Sequence, residues 1–187
     1  MRVLDQRTRV FDTILYPGSG TAFKVCSLLL GIVNSKWRKL PVKYWHMGKV
    51  WDIDDKGLFV FEGTAPRSRI HHYNYDELTN CVIYRVTDHE ITSQFKALMI
   101  RRYLHKRYDV SVYFRTAIQY IVLRVIERIQ HIVCPYHKFT MSLPRVLNDR
   151  YTCWELVEAI DRDAGIDWCP RSRYPMITDF LDYTGEL

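Results

Sequence analysis

The sequence predicts an α+β fold in which a small antiparallel sheet packs against helices. Two strand-like runs, 44–53 and 58–64, are joined through a turn rich in Asp and Gly at 52–57. Apolar residues at helical spacing indicate a helix after Thr152 and a longer helix over 111–133. With 187 residues and 48% hydrophobic content, the chain is expected to fold as a single domain, residues 1–187.

The remaining elements follow from turn signals and periodicity. The predicted elements are a strand at 12–16, a turn at 17–20, a helix at 21–35, a strand at 81–86, a helix at 89–106, a loop at 134–149 and a helix from 152 to about Gly165. The helix at 111–133 carries an apolar stripe of Ile118, Ile121, Val122, Val125, Ile129 and Ile132. This stripe fits a core-facing helix, and it also fits a surface for a partner, a lipid or an acyl chain.

Cys153 is the strongest candidate for a reactive residue. Thr152 and Glu155 have the spacing of a capping box, which makes Cys153 the first helical residue. Free backbone amides and the positive end of the helix dipole then face the sulfur, and both favour the thiolate over the thiol. The alternative is a free cysteine that packs as a small hydrophobic residue.

His46 and Glu62 lie on the two strands of the predicted hairpin and would supply a base and an orienting carboxylate. If they are directly opposed, the turn centres on Asp54 and has an odd number of residues, and both side chains share one face of the sheet. A tight turn at Asp55 and Lys56 would place Glu62 on the other face unless a bulge intervened. We predict the wider turn, with Glu62 bonded to one ring nitrogen of His46 and the Cys153 sulfur facing the other.

Several short segments, taken in order, resemble the permuted papain-fold enzymes of the NlpC type, which include YiiX-like amidases and lecithin:retinol acyltransferase relatives. The matching segments are DTILYPGSG (12–20), HMGKVW (46–51), FVFEGTA (59–65), KRYDV (106–110), TCWELV (152–157) and RYPMITDFLDY (173–183). The resemblance implies a circularly permuted papain-like fold with Cys153 as nucleophile, His46 as base, Glu62 as orienting group and Tyr108 near the substrate. Trp154 departs from the pattern, because relatives usually have a small serine there, and it could narrow the cleft.

The expected function is that of a cysteine-dependent hydrolase, an amidase, peptidase or esterase, acting through a thioester without a cofactor. Its substrate would carry an acyl group, as a peptide, an isopeptide, a cell-wall peptide or a lipid ester. Two alternatives remain open: an acyltransferase that uses the same three residues with a lipid or amine acceptor, and an inactive papain-fold binding module.

Charge and cysteine content limit the partners and the compartment. The formal net charge of +6 permits an anionic surface as a partner, and the densest basic cluster, 100–108, fits a solvated helix face as well. No base-reading motif accompanies that cluster, so we expect no sequence-specific nucleic-acid binding. The charged N-terminus, the short apolar stretch at 22–33 and five cysteines without framework spacing predict a cytoplasmic protein with no signal peptide and no membrane span.

A metal site is not expected from the sequence. Cys134 and His137 give one half of a zinc-like spacing, but no second pair follows at a suitable distance. His71 and His72 are predicted to lie in a loop.

Overall fold

The structure, a computed structural model, describes residues 8–21, 24, 27, 44–88, 90–111, 118, 122, 149–170 and 175–185. Within these residues the chain has an α+β fold, as the sequence predicts. Its centre is an antiparallel sheet of five strands in the spatial order β4-β3-β2-β1-β5. The strands are β1 (Thr13–Pro17), β2 (Tyr44–Ile53), β3 (Gly57–Glu62), β4 (Arg69–Asn74) and β5 (Val82–Tyr84).

The described helices are α1 (Ser93–Tyr103), α2 (Cys153–Asp163) and α3 (Ile177–Tyr183), with a 3₁₀ turn at Tyr75–Leu78. A second, parallel pair of strands joins β6 (Arg107–Tyr108) to β7 (Arg150–Tyr151). Because β7 ends one residue before Thr152, this pair fixes the point at which the chain enters α2.

Helix α2 is the central element of the core, since every residue from 153 to 161 is buried. One side of α2, with Trp154 and Val157, packs against Met47 of β2 and Phe180 of α3. A second apolar group joins α2 to Phe61 of β3 and Met99 of α1, along with others: Phe11, Trp51, Tyr103, Leu156, Ala159 and Ile160. Full burial of an aliphatic side chain such as Leu or Ile contributes about 1.5 to 3 kcal/mol, so this packing holds the start of α2 firmly against the sheet.

The boundaries of α2 agree with the sequence prediction. Thr152 is its N-cap, and after Asp163 the chain leaves the helix at Gly165, whose φ of +83° is the left-handed conformation common at this position. Helix α1 is shorter than the predicted 89–106 segment, because its N-cap is Thr92 and its C-cap is Leu104.

Three predictions need correction or fall outside the described residues. His71 and His72 belong to β4 and not to a loop, because 69–74 pairs along its whole length with β3. Ile118 and Val122 are helical but 62% and 50% exposed, so these two members of the apolar stripe do not lie in the core. The other members of the stripe, most of the predicted loop at 134–149 and most of the predicted helix at 21–35 lie outside the described residues.

None of the helices in the described part of the chain has the length and apolar character needed to cross a bilayer.

Candidate active site

Cys153 stands at the first position of α2, as the capping box predicts. The Thr152 hydroxyl accepts a hydrogen bond from the backbone N–H of Glu155 at 3.3 Å, and the Glu155 carboxylate accepts one from the backbone N–H of Thr152 at 3.0 Å. The reciprocal cap leaves the first-turn amides and the positive end of the helix dipole beside the cysteine. Cys153 itself is only 2% exposed.

Gly63 brings the end of β3 into backbone contact with the start of α2. A Cβ atom at this position would lie 3.0 Å from the Thr152 carbonyl oxygen and 3.1 Å from Cys153 Cα. Because both neighbours are backbone atoms, they cannot move aside without shifting the helix. The absence of a side chain at residue 63 therefore permits the close approach that places Cys153 next to the His46 and Glu62 ends of their strands.

Replacing Gly63 with Ala should destabilise the fold by roughly 1 to 3 kcal/mol, the usual cost of inserting a methyl group into a packed site. The same substitution should slow alkylation of Cys153, because the helix start must move away from β3. Urea unfolding and peptide-resolved alkylation measure the two effects. Unchanged stability together with an unchanged alkylation rate would contradict this close contact.

His46 and Glu62 form the predicted hydrogen bond. His46 Nε2 lies 2.7 Å from Glu62 Oε2, and the His46 side chain is 22% exposed whereas that of Glu62 is 1% exposed. With Nε2 engaged by the carboxylate, Nδ1 is the ring nitrogen left for Cys153. His46 is also the cross-strand partner of Tyr16, and the centroids of the two rings are 5.3 Å apart.

The register that produces this hydrogen bond differs from the predicted one. The prediction of a wide turn centred on Asp54 is wrong. The chain turns tightly at Asp55 and Lys56, and Ile53 is paired with Leu58. The Asp54 carboxylate accepts hydrogen bonds from the backbone N–H groups of Lys56 and Gly57 and stabilises the tight turn.

A bulge at Trp51 then restores the shared face. The register shifts between Val50 and Asp52, so beyond the bulge Val50 pairs with Val60 and Gly48 with Glu62. Glu62 therefore opposes Gly48 and reaches His46 diagonally. A Cβ on Gly48 would lie 2.5 Å from Val60 Cγ1 and 3.4 Å from Glu62 Cβ, so the glycine leaves room along the path between the carboxylate and the imidazole.

Electrostatics favour a charged His46. Burial of the ring lowers its pKa, but the Cys153 sulfur, through charge attraction and a side-chain hydrogen bond, raises it, and Glu62 adds to that effect. The net result raises the pKa of His46 from 6.5 to about 10. At neutral pH the imidazole is therefore protonated, which is the condition for an imidazolium–thiolate pair with Cys153.

Two residues that hold Glu62 were missed from the sequence. Arg69 Nε donates to Glu62 Oε1 at 2.9 Å, and the Tyr73 hydroxyl lies 3.0 Å from Oε1 and 3.1 Å from Oε2. Burial raises the pKa of Glu62, but the hydrogen bonds from His46, Arg69 and Tyr73 outweigh it and lower the pKa below its usual value. The sequence signal for these partners was the odd-numbered alternation of Arg69, His71 and Tyr73, which only a strand would place on one face.

Tyr108, the predicted substrate contact, lies in β6. Its backbone N–H donates to the Pro66 carbonyl at 2.9 Å, and the residue pairs with Tyr151 of β7. It is half-buried on the strand next to the one that leads into α2. Its role as a substrate-binding residue stays a prediction.

Trp154 is packed into the core and is 6% exposed. Its neighbours include Met47, Val157 and Phe180, so the indole fills the space between α2, the sheet and α3.

The described residues contain no group of three or more His, Cys, Asp or Glu side chains placed to hold a metal ion. His72 Nε2 bonds to Asp54 at 3.2 Å, while the His71 ring packs on Tyr73 with centroids 4.6 Å apart. As successive residues of β4, the two histidines point to opposite faces of the sheet. Cys134 and His137 lie outside the described residues.

In comparisons with known proteins, no family model and no curated protein matches this chain.

Proposed function

We propose that the chain is a thiol hydrolase of the permuted papain-like type, an amidase, peptidase or esterase that acts through a thioester on Cys153. The observation that carries the proposal is the 2.7 Å hydrogen bond between His46 Nε2 and Glu62 Oε2, on a histidine whose pKa Cys153 raises through charge attraction and a side-chain hydrogen bond. A nucleophile, a base and a third group that orients the base are the parts that covalent acyl transfer requires. The chain order of these residues, histidine strand, carboxylate strand and cysteine helix, supports the permuted arrangement.

In the acylation step, the thiolate of Cys153 attacks the carbonyl carbon of the substrate and forms a tetrahedral intermediate. Negative charge moves to the carbonyl oxygen, where backbone amides at the start of α2 stabilise it. The carbon–nitrogen or carbon–oxygen bond then breaks, and the His46 imidazolium gives its proton to the departing amine or alcohol. A thioester on Cys153 and a neutral His46 remain.

In the deacylation step, neutral His46 takes a proton from water, which attacks the thioester carbonyl. Collapse of the second intermediate releases a carboxylic acid and regenerates the thiolate and the imidazolium. Glu62 stays ionised throughout, and its hydrogen bond to Nε2 keeps the ring oriented. A lipid or amine acceptor in place of water would convert the same site into an acyltransferase.

The burial of the site favours a second candidate, a binding module that keeps the fold without catalysis. Cys153 is 2% exposed and Trp154 packs beside it in the core, so the partly exposed His46 ring is the member of the set most open to solvent. A thiol that no acyl group can reach would serve packing alone.

Intact-mass spectrometry separates the two candidates. The wild-type protein, incubated briefly with activated peptide esters, isopeptides, cell-wall peptides and lipid esters, should gain the mass of one acyl group from at least one of these classes. The adduct should map to Cys153 and be absent from the Cys153→Ala variant. Equal acylation of wild type and Cys153→Ala, or none by any class, would leave the binding module as the better description.

We also propose that the protein is cytoplasmic and that the basic cluster at 100–108 is a solvated surface. In the described part of the chain Cys81, Cys153 and Cys169 are not joined in disulfides, which fits a reducing compartment. Within the basic cluster, Arg102 pairs with Asp163 at 2.9 Å and Lys106 with Asp149 at 3.1 Å. These pairs reduce the positive charge that the cluster presents to an anionic partner.

A further inference from the structure

The Glu62 carboxylate is bonded on both of its oxygens by residues of β4. Oε1 accepts from Arg69 at 2.9 Å and from Tyr73 at 3.0 Å, while Oε2 is shared between His46 at 2.7 Å and Tyr73 at 3.1 Å. The carboxylate is 1% exposed and so gains little from water. Its charge and its orientation therefore depend on these three donors.

We propose that Arg69 and Tyr73 are positioning residues, which hold Glu62 ionised and aimed at His46 and thereby set the lowest pH at which the Cys153–His46 pair can form. The catalytic consequence rests on the proposed function, whereas the arrangement of Glu62 and His46 can be tested without it.

Arg69 supplies the charge. It is the direct cross-strand partner of Glu62, and its Nε atom makes the contact while the side chain remains 48% exposed. A cation opposite a buried carboxylate favours the ionised form, and Arg does so at every accessible pH. Without it, burial would move Glu62 toward the neutral acid, whose hydrogen bond with a protonated imidazole is weaker because it lacks the charge attraction.

Tyr73 supplies the orientation. Its hydroxyl bridges both carboxylate oxygens, so rotation of the carboxylate away from His46 would break these contacts. Burial and the nearby Glu62 charge raise the pKa of Tyr73 to about 12, which keeps the phenol a donor over the working range of the site. The titratable groups that face Glu62 from β1, β2 and β4 are Tyr16, His46, Arg69 and Tyr73.

The arrangement can be tested by proton NMR on the full chain. A hydrogen-bonded His46 Nε2–H should give a downfield resonance, assigned by its absence from His46→Ala and from Glu62→Ala. In the wild type this signal should persist from pH 8 to pH 5. In Arg69→Met it should be present at pH 8 and lost at pH 5, because Glu62 becomes protonated in that interval. Arg69→Lys restores a cation and should restore the signal.

Alkylation of Cys153 by iodoacetamide provides the functional readout. Relative to wild type, Arg69→Met should reduce the rate about tenfold at pH 5 and less than about twofold at pH 8, the effect of one unit in a titration. Tyr73→Phe should show the same pattern with a smaller change, about threefold. Arg101→Met removes an equal charge from the exposed face of α1 and should match the wild type at both pH values.

The outcomes separate the two proposals. If Arg69→Met and Tyr73→Phe keep the downfield signal at pH 5, or if Arg69→Met loses it equally at both pH values, the positioning role is wrong. If the signal follows the expected pattern while wild-type Cys153 takes up no acyl group, the positioning of His46 by β4 stands and the hydrolase proposal fails.

Discussion

The His46→Ala variant should alkylate at Cys153 about 100-fold more slowly than the wild type at pH 7, the effect of removing an opposite charge at contact distance. Because the pKa of His46 is raised to about 10, the imidazolium persists at every pH below that value. The wild-type rate should therefore depend less steeply on pH between pH 6 and pH 9 than the rate of His46→Ala, which lacks the cation beside the sulfur.

Peptide-resolved mass spectrometry provides the measurement and an internal standard. Burial raises the pKa of Cys81 to about 11, so this thiol should react slowly in both proteins. His72→Ala is the matched control, since it removes a partly exposed histidine that bonds to Asp54 at the turn. Identical pH profiles for wild type and His46→Ala would remove His46 from the site.

The start of α2 could be predicted because its determinants are local. Thr152 and Glu155 satisfy each other within three residues, and the resulting cap places Cys153 at the first helical position whatever the rest of the chain does. The shared face of His46 and Glu62 was also predicted correctly. The predicted wide turn was wrong, because the turn is tight and a bulge at Trp51 supplies the extra residue that puts Glu62 on the same face as His46.

A bulge cannot be read from such a segment, because its position depends on packing across the sheet. The indole of Trp51 packs edge-on against Phe61 with centroids 5.1 Å apart, and this contact accompanies the extra residue in β2. The order of apolar and polar residues along 44–53 does not show where the extra residue lies. Register in the hairpin was therefore fixed by tertiary contacts and not by turn chemistry alone.

Strand β4 was not predicted from the sequence, because polar side chains lie on both of its faces. Arg69, His71 and Tyr73 point one way and contact the candidate site or its neighbours, while Ile70 and His72 point the other. A polar strand of this kind lacks the apolar alternation on which strand prediction depends. Arg69 and Tyr73, which hold Glu62, were therefore not predicted either.

The buried ion pair between β2 and α2 likewise could not be predicted from the sequence. Lys49 Nζ lies 2.7 Å from Asp161 Oδ1, and both side chains are 0% exposed. The ammonium also donates to the Thr13 hydroxyl at 2.8 Å and lies 4.1 Å from the centroid of the Phe11 ring. The two residues are more than a hundred positions apart, so only the packing of α2 on the sheet brings them together.

Lys49→Met should destabilise the protein by about 3 to 5 kcal/mol at pH 7, because it leaves Asp161 as a buried charge without its cation. Burial already raises the pKa of Asp161 and lowers that of Lys49, so both charges depend on each other. A carboxyl whose pKa is raised in the folded state stabilises that state at low pH and loses this contribution as pH rises through the folded pKa. Lys49→Met should therefore lose less stability at pH 5 than at pH 7.

Urea unfolding at the two pH values measures this effect, and a second substitution identifies its cause. In Lys49→Met with Asp161→Asn, the buried charge is gone while the amide oxygen still accepts the hydrogen bond that Trp168 Nε1 gives to Asp161 at 3.0 Å. The double variant should recover roughly 2 kcal/mol relative to Lys49→Met alone, since the penalty is that of an unpaired charge and not of lost volume. Lys106→Met, which breaks an exposed pair with Asp149, should cost less than about 1 kcal/mol. Equal losses in Lys49→Met and Lys106→Met would show that the buried pair does not hold the cysteine helix to the sheet.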